Sequence, residues 1–284
     1  MRYWHSYFVG ALRKGLPAEL FDIEEEVSVG DVPLKIDVAV VRKKAEEEIP
    51  LGGPFGYFAA HNLIEFKSPE DYFSPRDYDR LVAYGLLYLL KYRIPSRGEI
   101  TLTAVTAGYP RAWVRRMREE GVELEEKEAG IYLLDREFRF TLVVANRLEI
   151  KEEHFYLLPF SKGRHLIEYL RTLLSEEVEG KEWLLSLNLD LYPEEVLRME
   201  SVCGGTLPPV LQRKFEKAVK GLSVDRLVHL MGVDRLVDMV GVDRLVDTVG
   251  REEVIRQIGA ENLQRDLIRM LGKEKMRELL EEMD

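Results

Sequence analysis

The sequence predicts an α/β protein in which a mixed β-sheet is flanked by helices and followed by an all-helical C-terminal region. Two observations predict the sheet. Runs of β-branched residues bounded by turn residues recur in the first half of the chain, and a capped amphipathic helix separates two of them. A nine-residue repeat near the C-terminus predicts short helices there. We therefore expect three parts, at residues 1–150, 151–222 and 223–284.

Composition excludes several classes of protein. The 284 residues carry 51 Asp and Glu against 41 Lys and Arg, and the net charge of -10 argues against a protein that coats nucleic acid indiscriminately. No apolar run approaches the ~20 residues of a membrane-spanning helix, and the N-terminus does not open as a signal peptide. The single cysteine, Cys203, permits no intramolecular disulfide, so we expect a cytoplasmic protein without membrane association.

The first segment and a later insertion are both predicted to pack on the sheet. Residues 3–14 form a helical pattern with an apolar stripe, which Gly15 and Pro17 end. We expect this helix to cover one face of the sheet. Residues 42–60 combine a charged run with glycines and aromatic residues, which is typical of a surface insertion whose rings pack against the body of the protein.

Between these segments, residues 21–41 have the pattern of a β-hairpin. Gly30 and Asp31 form a two-residue loop between β-branched flanks, which is a strong hairpin signal. In the register that such a loop sets, Glu24 lies directly opposite Asp37. The side chain of Asp37 alternates with apolar neighbours, so it faces away from the core.

This register would place two carboxylates together. Directly opposite carboxylates repel each other unless a cation or a proton lies between them, which indicates a metal ion near Glu24 and Asp37. The alternative is that both carboxylates are solvated on the open face of the hairpin. A slip of one residue would bring Glu25 to that face instead, so the pattern does not decide which of Glu24, Glu25 and Glu26 faces the site.

Residues 61–70 contain a short buried strand with a charged pair at its end. The apolar residues of the strand are Leu63, Ile64 and Phe66, and Ser68 and Pro69 close it. Glu65 and Lys67 are two positions apart, so both side chains leave the same face. A carboxylate and an ammonium at the end of a buried strand cost desolvation energy, which must be offset by a partner or a ligand that binds them. A metal ion with a phosphate would use both, and a simple ion pair is the alternative.

The clearest predicted helix follows this strand. Ser74 is a good N-cap, Pro75 suits the first helical position, and Asp77 completes a capping box, while Pro95 requires an end before it. The predicted buried face consists of Leu81, Val82, Leu86, Leu89 and Leu90.

Two arginines near the start of this helix are candidate phosphate contacts. Arg76 and Arg80 are four residues apart and therefore neighbours on the helix surface. The alternative is that they pair with the acidic residues of the same region, Asp77, Asp79 or Glu70.

A further strand is predicted at residues 99–108, followed after Pro110 by a basic helix. Arg111, Arg115 and Arg118 share one face of that helix. They are the best candidates for a stripe that contacts a nucleic-acid backbone, and a solvated helical face is the alternative.

The rest of the chain changes from strands to helices. Residues 130–135 and 138–148 predict an antiparallel hairpin, and helical periodicity dominates from residue 153 onward. The repeat units begin at Val224, Val233 and Val242, with degenerate units at Arg251 and Ala260. A glycine at the ninth position of the first four units predicts separate short helices with glycine C-caps. We expect a solenoid-like module that packs on the core, self-associates or binds a partner protein.

The order of these elements resembles the PD-(D/E)XK nuclease superfamily, and within it the transposase-like, recombination-promoting branch. The likeness covers residues 1–150 and consists of a hairpin with Asp37, a strand with Glu65, Phe66 and Lys67, and a long Tyr-rich helix. The chain departs from the pattern in two respects. The residue before Asp37 is not proline, and a charged, Gly-rich insert precedes the strand.

The resemblance implies a restriction-endonuclease-like mixed sheet and metal-dependent hydrolysis of nucleic acid, with DNA as the expected substrate. It implies that Asp37 and Glu65 bind Mg²⁺ or Mn²⁺, with the Phe66 carbonyl as a third ligand and Glu24 completing the site. Lys67 would orient the attacking water or stabilise charge on the phosphate. The alternative is a catalytically silent binding or scaffold protein that acts through residues 223–284, by self-association or by binding a protein partner.

Overall fold

The structure, a computed structural model, describes residues 4–25, 27, 38–44, 52–203, 211, 213, 214 and 217. Asp37, Glu26 and the predicted hairpin loop lie outside the described residues, as does the predicted repeat module at 223–284. Contacts divide the chain into two compact units, Met1–Tyr192 and Pro193–Asp284. The first unit contains the candidate site.

Among the described residues, the first unit contains five α-helices and seven β-strands. The helices are α1 (Trp4–Gly15), α2 (Pro75–Tyr92), α3 (Arg111–Glu119), α4 (Arg164–Ser175) and α5 (Lys181–Leu191). The strands are β1 (Phe21–Glu24), β2 (Val38–Lys43), β3 (His61–Phe66), β4 (Ile100–Thr106), β5 (Glu125–Glu128), β6 (Ile131–Asp135) and β7 (Arg139–Val144). The described part of the second unit contains α6 (Pro193–Cys203). No helix in the described ranges has the length and apolar character needed to cross a bilayer.

The seven strands form one mixed sheet in the order β1-β2-β3-β4-β7-β6-β5. The central strands β3, β4 and β7 are parallel, and the outer pairings are antiparallel. The predicted α/β class with a mixed sheet is confirmed, as is the hairpin of β6 and β7. Helix α2 connects β3 to β4, so the carboxyl ends of the parallel strands meet at one edge, where ligands commonly bind in open α/β sheets.

Each face of the sheet is covered. On one face, residues of β3, β4 and β7 pack with α2 and α3 around the buried Trp113. On the other face, Phe8 of α1 stacks on Phe66 of β3 with ring centroids 4.3 Å apart, and Phe160 contacts both rings edge-on. The prediction that α1 covers the sheet is therefore confirmed. In the described part of the insertion, Phe55 is buried and Phe58 contacts Phe21 of β1, as predicted, whereas Arg42 and Lys43 belong to β2.

Helix α2 has its predicted ends but only part of its predicted buried face. Its core-facing residues are Tyr78, Leu81, Tyr84, Gly85 and Tyr88. The predicted member Leu90 is 71% exposed, and Val82, Leu86 and Leu89 are only partly buried. The predicted face consists of leucines and a valine and includes none of the tyrosines. Tyrosine rings bury as much apolar surface as leucine, and Leu90 lies about 200° around the helix from Tyr88.

The register of β1 and β2 also corrects the sequence analysis. Glu24 lies opposite Val40, three positions from the predicted partner Asp37. A two-residue loop at Gly30 and Asp31 would pair Glu24 with Asp37. In the structure β1 ends at Glu24 and β2 begins at Val38, and their pairing does not follow that loop. In the observed register Glu24 forms an ion pair with Arg42 at 2.5 Å, and Asp22 forms one with Lys44 at 3.0 Å. Opposite charges therefore replace the repulsive carboxylate pair.

A buried histidine anchors the segment that follows the sheet. His154 is fully buried, and its Nδ1 lies 2.8 Å from the carbonyl oxygen of Glu149. Nδ1 therefore carries the proton, and Nε2 has no partner in the described part of the chain. Burial is the main cause that lowers the pKa of His154, and the charge of Lys151 acts in the same direction, against the hydrogen bond to Glu149.

We predict that His154→Asn flattens the dependence of stability on pH. The unfolded histidine has a pKa of about 6.5, whereas the native pKa is lowered. Below a pH of about 6.5 the unfolded chain therefore binds more protons at this position than the native chain does. Wild-type stability should therefore fall as the pH decreases through this range. Asparagine retains an N–H donor for Glu149 without titrating. Urea unfolding at pH values of about 7.5 and 5.5 gives the free energy of unfolding of the wild type and the variant. If both proteins lose the same free energy of unfolding between the two pH values, the prediction is contradicted.

Candidate active site

The candidate site lies at the carboxyl end of β3, in the middle of the sheet. Glu65 is 4% exposed and lies opposite Val38 of β2 on one side and Ala104 of β4 on the other. The backbone N–H of Lys67 donates to the Val105 carbonyl at 2.9 Å, so strand pairing continues through Lys67. This pairing places Glu65 and Lys67 on the same face, and their side chains form an ion pair at 2.8 Å.

Four charged side chains meet there in a closed arrangement, which we call the four-charge ring: Glu65, Lys67, Asp77 and Arg80. Lys67 Nζ lies 2.8 Å from Glu65 Oε1 and 3.0 Å from Asp77 Oδ1. Arg80 Nη2 lies 3.0 Å from Glu65 Oε1 and 2.7 Å from Asp77 Oδ1. Each cation therefore bridges both carboxylates, and the four formal charges sum to zero.

The N-terminus of α2 fixes the position of Asp77. Ser74 is the N-cap, and its backbone N–H and hydroxyl donate to Asp77 Oδ2 at 2.8 and 2.6 Å. The Ser74 hydroxyl in turn accepts the N–H of Asp77 at 3.3 Å, which completes the predicted capping box. Because the cap uses Oδ2, Oδ1 is turned toward Lys67 and Arg80. One carboxylate thus joins the helix cap to the four-charge ring.

Three members of the four-charge ring are largely withdrawn from water. The side chains of Glu65, Asp77 and Lys67 are 5%, 13% and 16% exposed, whereas that of Arg80 is 44% exposed. Charges at such depth persist only when they are paired and hydrogen-bonded. Arg80 therefore closes the ring on its solvent side.

The four-charge ring favours the charged forms of Lys67 and Asp77. Burial opposes the ammonium of Lys67, but hydrogen bonds and negative charge from Glu65 and Asp77 outweigh it and raise the pKa of Lys67. Burial also opposes ionisation of Asp77, yet hydrogen bonds from Ser74 and the charge of Lys67 lower the pKa of Asp77. Lys67 is therefore a cation at neutral pH, suited to electrostatic stabilisation rather than to accepting a proton.

The structure brings together only part of the predicted site. Arg80 joins Glu65 and Lys67, and its predicted alternative, pairing with Asp77, is confirmed. Asp37 lies outside the described residues, but Val38, the next residue in the chain, is the cross-strand partner of Glu65.

The side chains of the remaining predicted residues are not part of the four-charge ring. Glu24 is paired with Arg42 instead. Arg76, Arg111 and Arg115 are exposed, and none of the ion pairs among the described residues includes them. The Phe66 ring lies on the opposite face from Glu65, stacked on Phe8 of α1, as the alternation of the strand predicts; the role predicted for Phe66 is that of its carbonyl oxygen. The described ranges contain no group of three or more potential metal ligands among His, Cys, Asp and Glu.

Asp77 is the site residue that sequence reasoning did not assign to the site. The sequence indicated Asp77 as a helix cap and as one alternative partner of the arginines. The signal that identifies it is its place at the third position of the helix directly after Glu65 and Lys67. A helix that returns over the strand it follows brings its first turn to the carboxyl end of that strand.

Loops from three strands are tied together at the same edge. The N–H of Asn146, after β7, donates to the carbonyl of Ala107, after β4, at 3.0 Å. The side-chain oxygen of Asn146 accepts the backbone N–H of Lys162 at 2.7 Å. The ammonium of Lys162 reaches the carbonyl of Pro69, after β3, at 3.2 Å. The loops that follow β3, β4 and β7 are therefore held together by direct hydrogen bonds.

Comparisons with known proteins do not identify a family. No protein-family model matches the chain, and neither the curated proteins nor the solved structures contain a match. The nuclease resemblance therefore depends on the sequence pattern alone and stays a prediction.

We predict that Asp77→Asn destabilises the protein by about 1–3 kcal/mol, because it leaves two cations sharing one buried carboxylate. Asparagine can still accept hydrogen bonds at the helix cap, so the loss reports mainly on the four-charge ring. Urea unfolding at neutral pH measures it.

Asp79→Asn is the matched control. Asp79 lies on the same helix and pairs with Arg116, but its side chain is 53% exposed, so a smaller loss is expected. Equal losses in the two variants would contradict a buried, cooperative ring.

Proposed function

We propose that the chain is a Mg²⁺-dependent hydrolase of phosphodiester bonds in nucleic acid, with DNA as its substrate. The observation that carries the proposal is the buried pair of Glu65 and Lys67, in contact at 2.8 Å at the carboxyl end of the central strand. The strand that follows Asp37 in the chain pairs directly with this position. Both features agree with the order of residues on which the nuclease resemblance depends.

Lys67 is the group that we assign to the developing charge on the phosphate. Its raised pKa keeps it protonated, and its ammonium has three N–H donors. Glu65 and Asp77 account for two of them, and we assign the third to a phosphate oxygen. A cation held by two carboxylates is already oriented before substrate binds, which is the condition for strong electrostatic stabilisation.

Glu65 and Asp37 are the residues that would hold the metal. Carboxylate oxygens are the donors that Mg²⁺ prefers, and Glu65 is in place at the strand end. Bound Mg²⁺ supplies polarisation of the phosphate and a water of lowered pKa. Phe66 keeps its assignment through its carbonyl oxygen. Glu24 is left out of the proposal, because it is paired with Arg42 and lies opposite Val40 rather than Asp37.

Arginines around the site would position the nucleic-acid backbone. Arg80 contributes Nη2 to the four-charge ring, while 44% of its side chain remains exposed for a phosphate. Helix α3 begins at Arg111, a few residues after β4 ends at the same edge of the sheet. Its exposed Arg111 and Arg115 are therefore candidate backbone contacts, as the sequence predicts.

We predict that Glu65→Gln lowers the rate of Mg²⁺-dependent DNA cleavage by at least about 10²-fold, because it removes both a metal ligand and the partner of Lys67. The measurement is cleavage of plasmid and of labelled oligonucleotides with excess Mg²⁺. Asp79→Asn is the matched control and should retain wild-type activity, since Asp79 pairs with Arg116 outside the four-charge ring.

The alternative function predicts the opposite result. A catalytically silent nuclease-fold scaffold, acting through residues 223–284, would give no Mg²⁺-dependent cleavage in the wild type or in either variant. Equal cleavage by wild type and Glu65→Gln would instead identify a contaminating nuclease and contradict the proposed site.

A further inference from the structure

The loop between β3 and α2 presents an aromatic ring to solvent beside the four-charge ring. Tyr72 is 83% exposed, more than any other large hydrophobic side chain in the described part of the chain. It lies five residues after Lys67 and two before the helix cap, Ser74. An aromatic ring of this size is usually at least half buried, so its exposure needs an explanation.

The loop holds Tyr72 in place. The Ser68 hydroxyl donates to Asp71 Oδ2 at 2.7 Å, and the N–H of Asp71 donates to the Ser68 carbonyl at 3.0 Å. On the other side, Phe73 is 3% exposed and its ring contacts Trp113. Both neighbours of Tyr72 are therefore anchored while its own ring faces water, which lowers the entropy lost when a ligand covers it.

A lysine from another part of the chain lies against the same ring. Lys162 Nζ is 5.8 Å from the Tyr72 ring centroid and 3.2 Å from the Pro69 carbonyl. Its backbone is held by Asn146 at 2.7 Å. The loop thus offers a flat aromatic face and an adjacent cation at the edge where the carboxyl ends of three parallel strands meet.

We propose that Tyr72 and Lys162 form a contact site for single-stranded nucleic acid, in which one unpaired base stacks on Tyr72 and Lys162 contacts the adjoining phosphate. This inference rests on the proposed function of the neighbouring site. Stacking on an aromatic ring accepts every base and is the usual way that proteins hold single strands. Only an unpaired base has a face free to stack on Tyr72, because the bases of a duplex are stacked on one another. The exposed carboxylates of Glu70 and Asp71 repel phosphates, so Lys162 is the group assigned to the backbone.

Fluorescence anisotropy tests this proposal with a labelled single strand of about 12 thymidines, in metal-free buffer at low salt. Tyr72→Ala should weaken binding about tenfold, in line with the loss of one stacked base. Tyr72→Trp should bind at least as well as the wild type. Leu90→Ala is the matched control, because Leu90 is 71% exposed on α2 and should not affect binding.

Other results separate this inference from the proposed hydrolysis. Tyr72-dependent binding without DNA cleavage under Mg²⁺ would uphold the contact site and overturn the hydrolase. Cleavage with equal binding by wild type and Tyr72→Ala would overturn the contact site alone. Failure of the wild type to bind the single strand would also overturn it.

Discussion

The structure depends on how one carboxylate, Asp77, joins a helix cap to a pair of buried charges. Glu65 and Lys67 stand at the end of a strand that is covered on both sides, where isolated charges would cost several kcal/mol each. Asp77 and Arg80 supply the opposite charges that make their burial tolerable. Because Asp77 is also fixed by Ser74, the start of α2 and the end of β3 cannot shift independently.

The fold around this connection keeps it rigid. Helix α2 packs on the sheet through a row of tyrosines, and the loop between strand and helix is anchored by Phe73. The neighbouring strand ends are joined through Asn146 and Lys162. A site that must hold a cation near a reacting phosphate benefits from such support, since small displacements of positioned groups reduce rates strongly.

The sequence predicts well what local interactions determine. The capping box at Ser74 and the restriction before Pro95 give both ends of α2, and the spacing of Glu65 and Lys67 gives their shared face. It predicts poorly what distant contacts determine. Burial of Tyr88 rather than Leu90 depends on partners in the strands, among them Arg42 and His61, and the pairing of Glu24 with Val40 depends on a register that no two-residue loop at Gly30 and Asp31 gives. The sequence predicts Asp77 as part of the helix cap. Its ion pair with Lys67 cannot be predicted locally, because it forms only when α2 folds back over β3.

Calorimetric titration of Mg²⁺ and Mn²⁺ into the wild type and Asp37→Ala tests the central claim most directly, that this strand end is a metal site. We predict a saturable binding isotherm in the wild type that is lost in Asp37→Ala, because a site with too few carboxylates does not retain a hard cation. Equal isotherms in the two proteins, or none in either, would contradict the claim and leave the four-charge ring as a structural element of the fold.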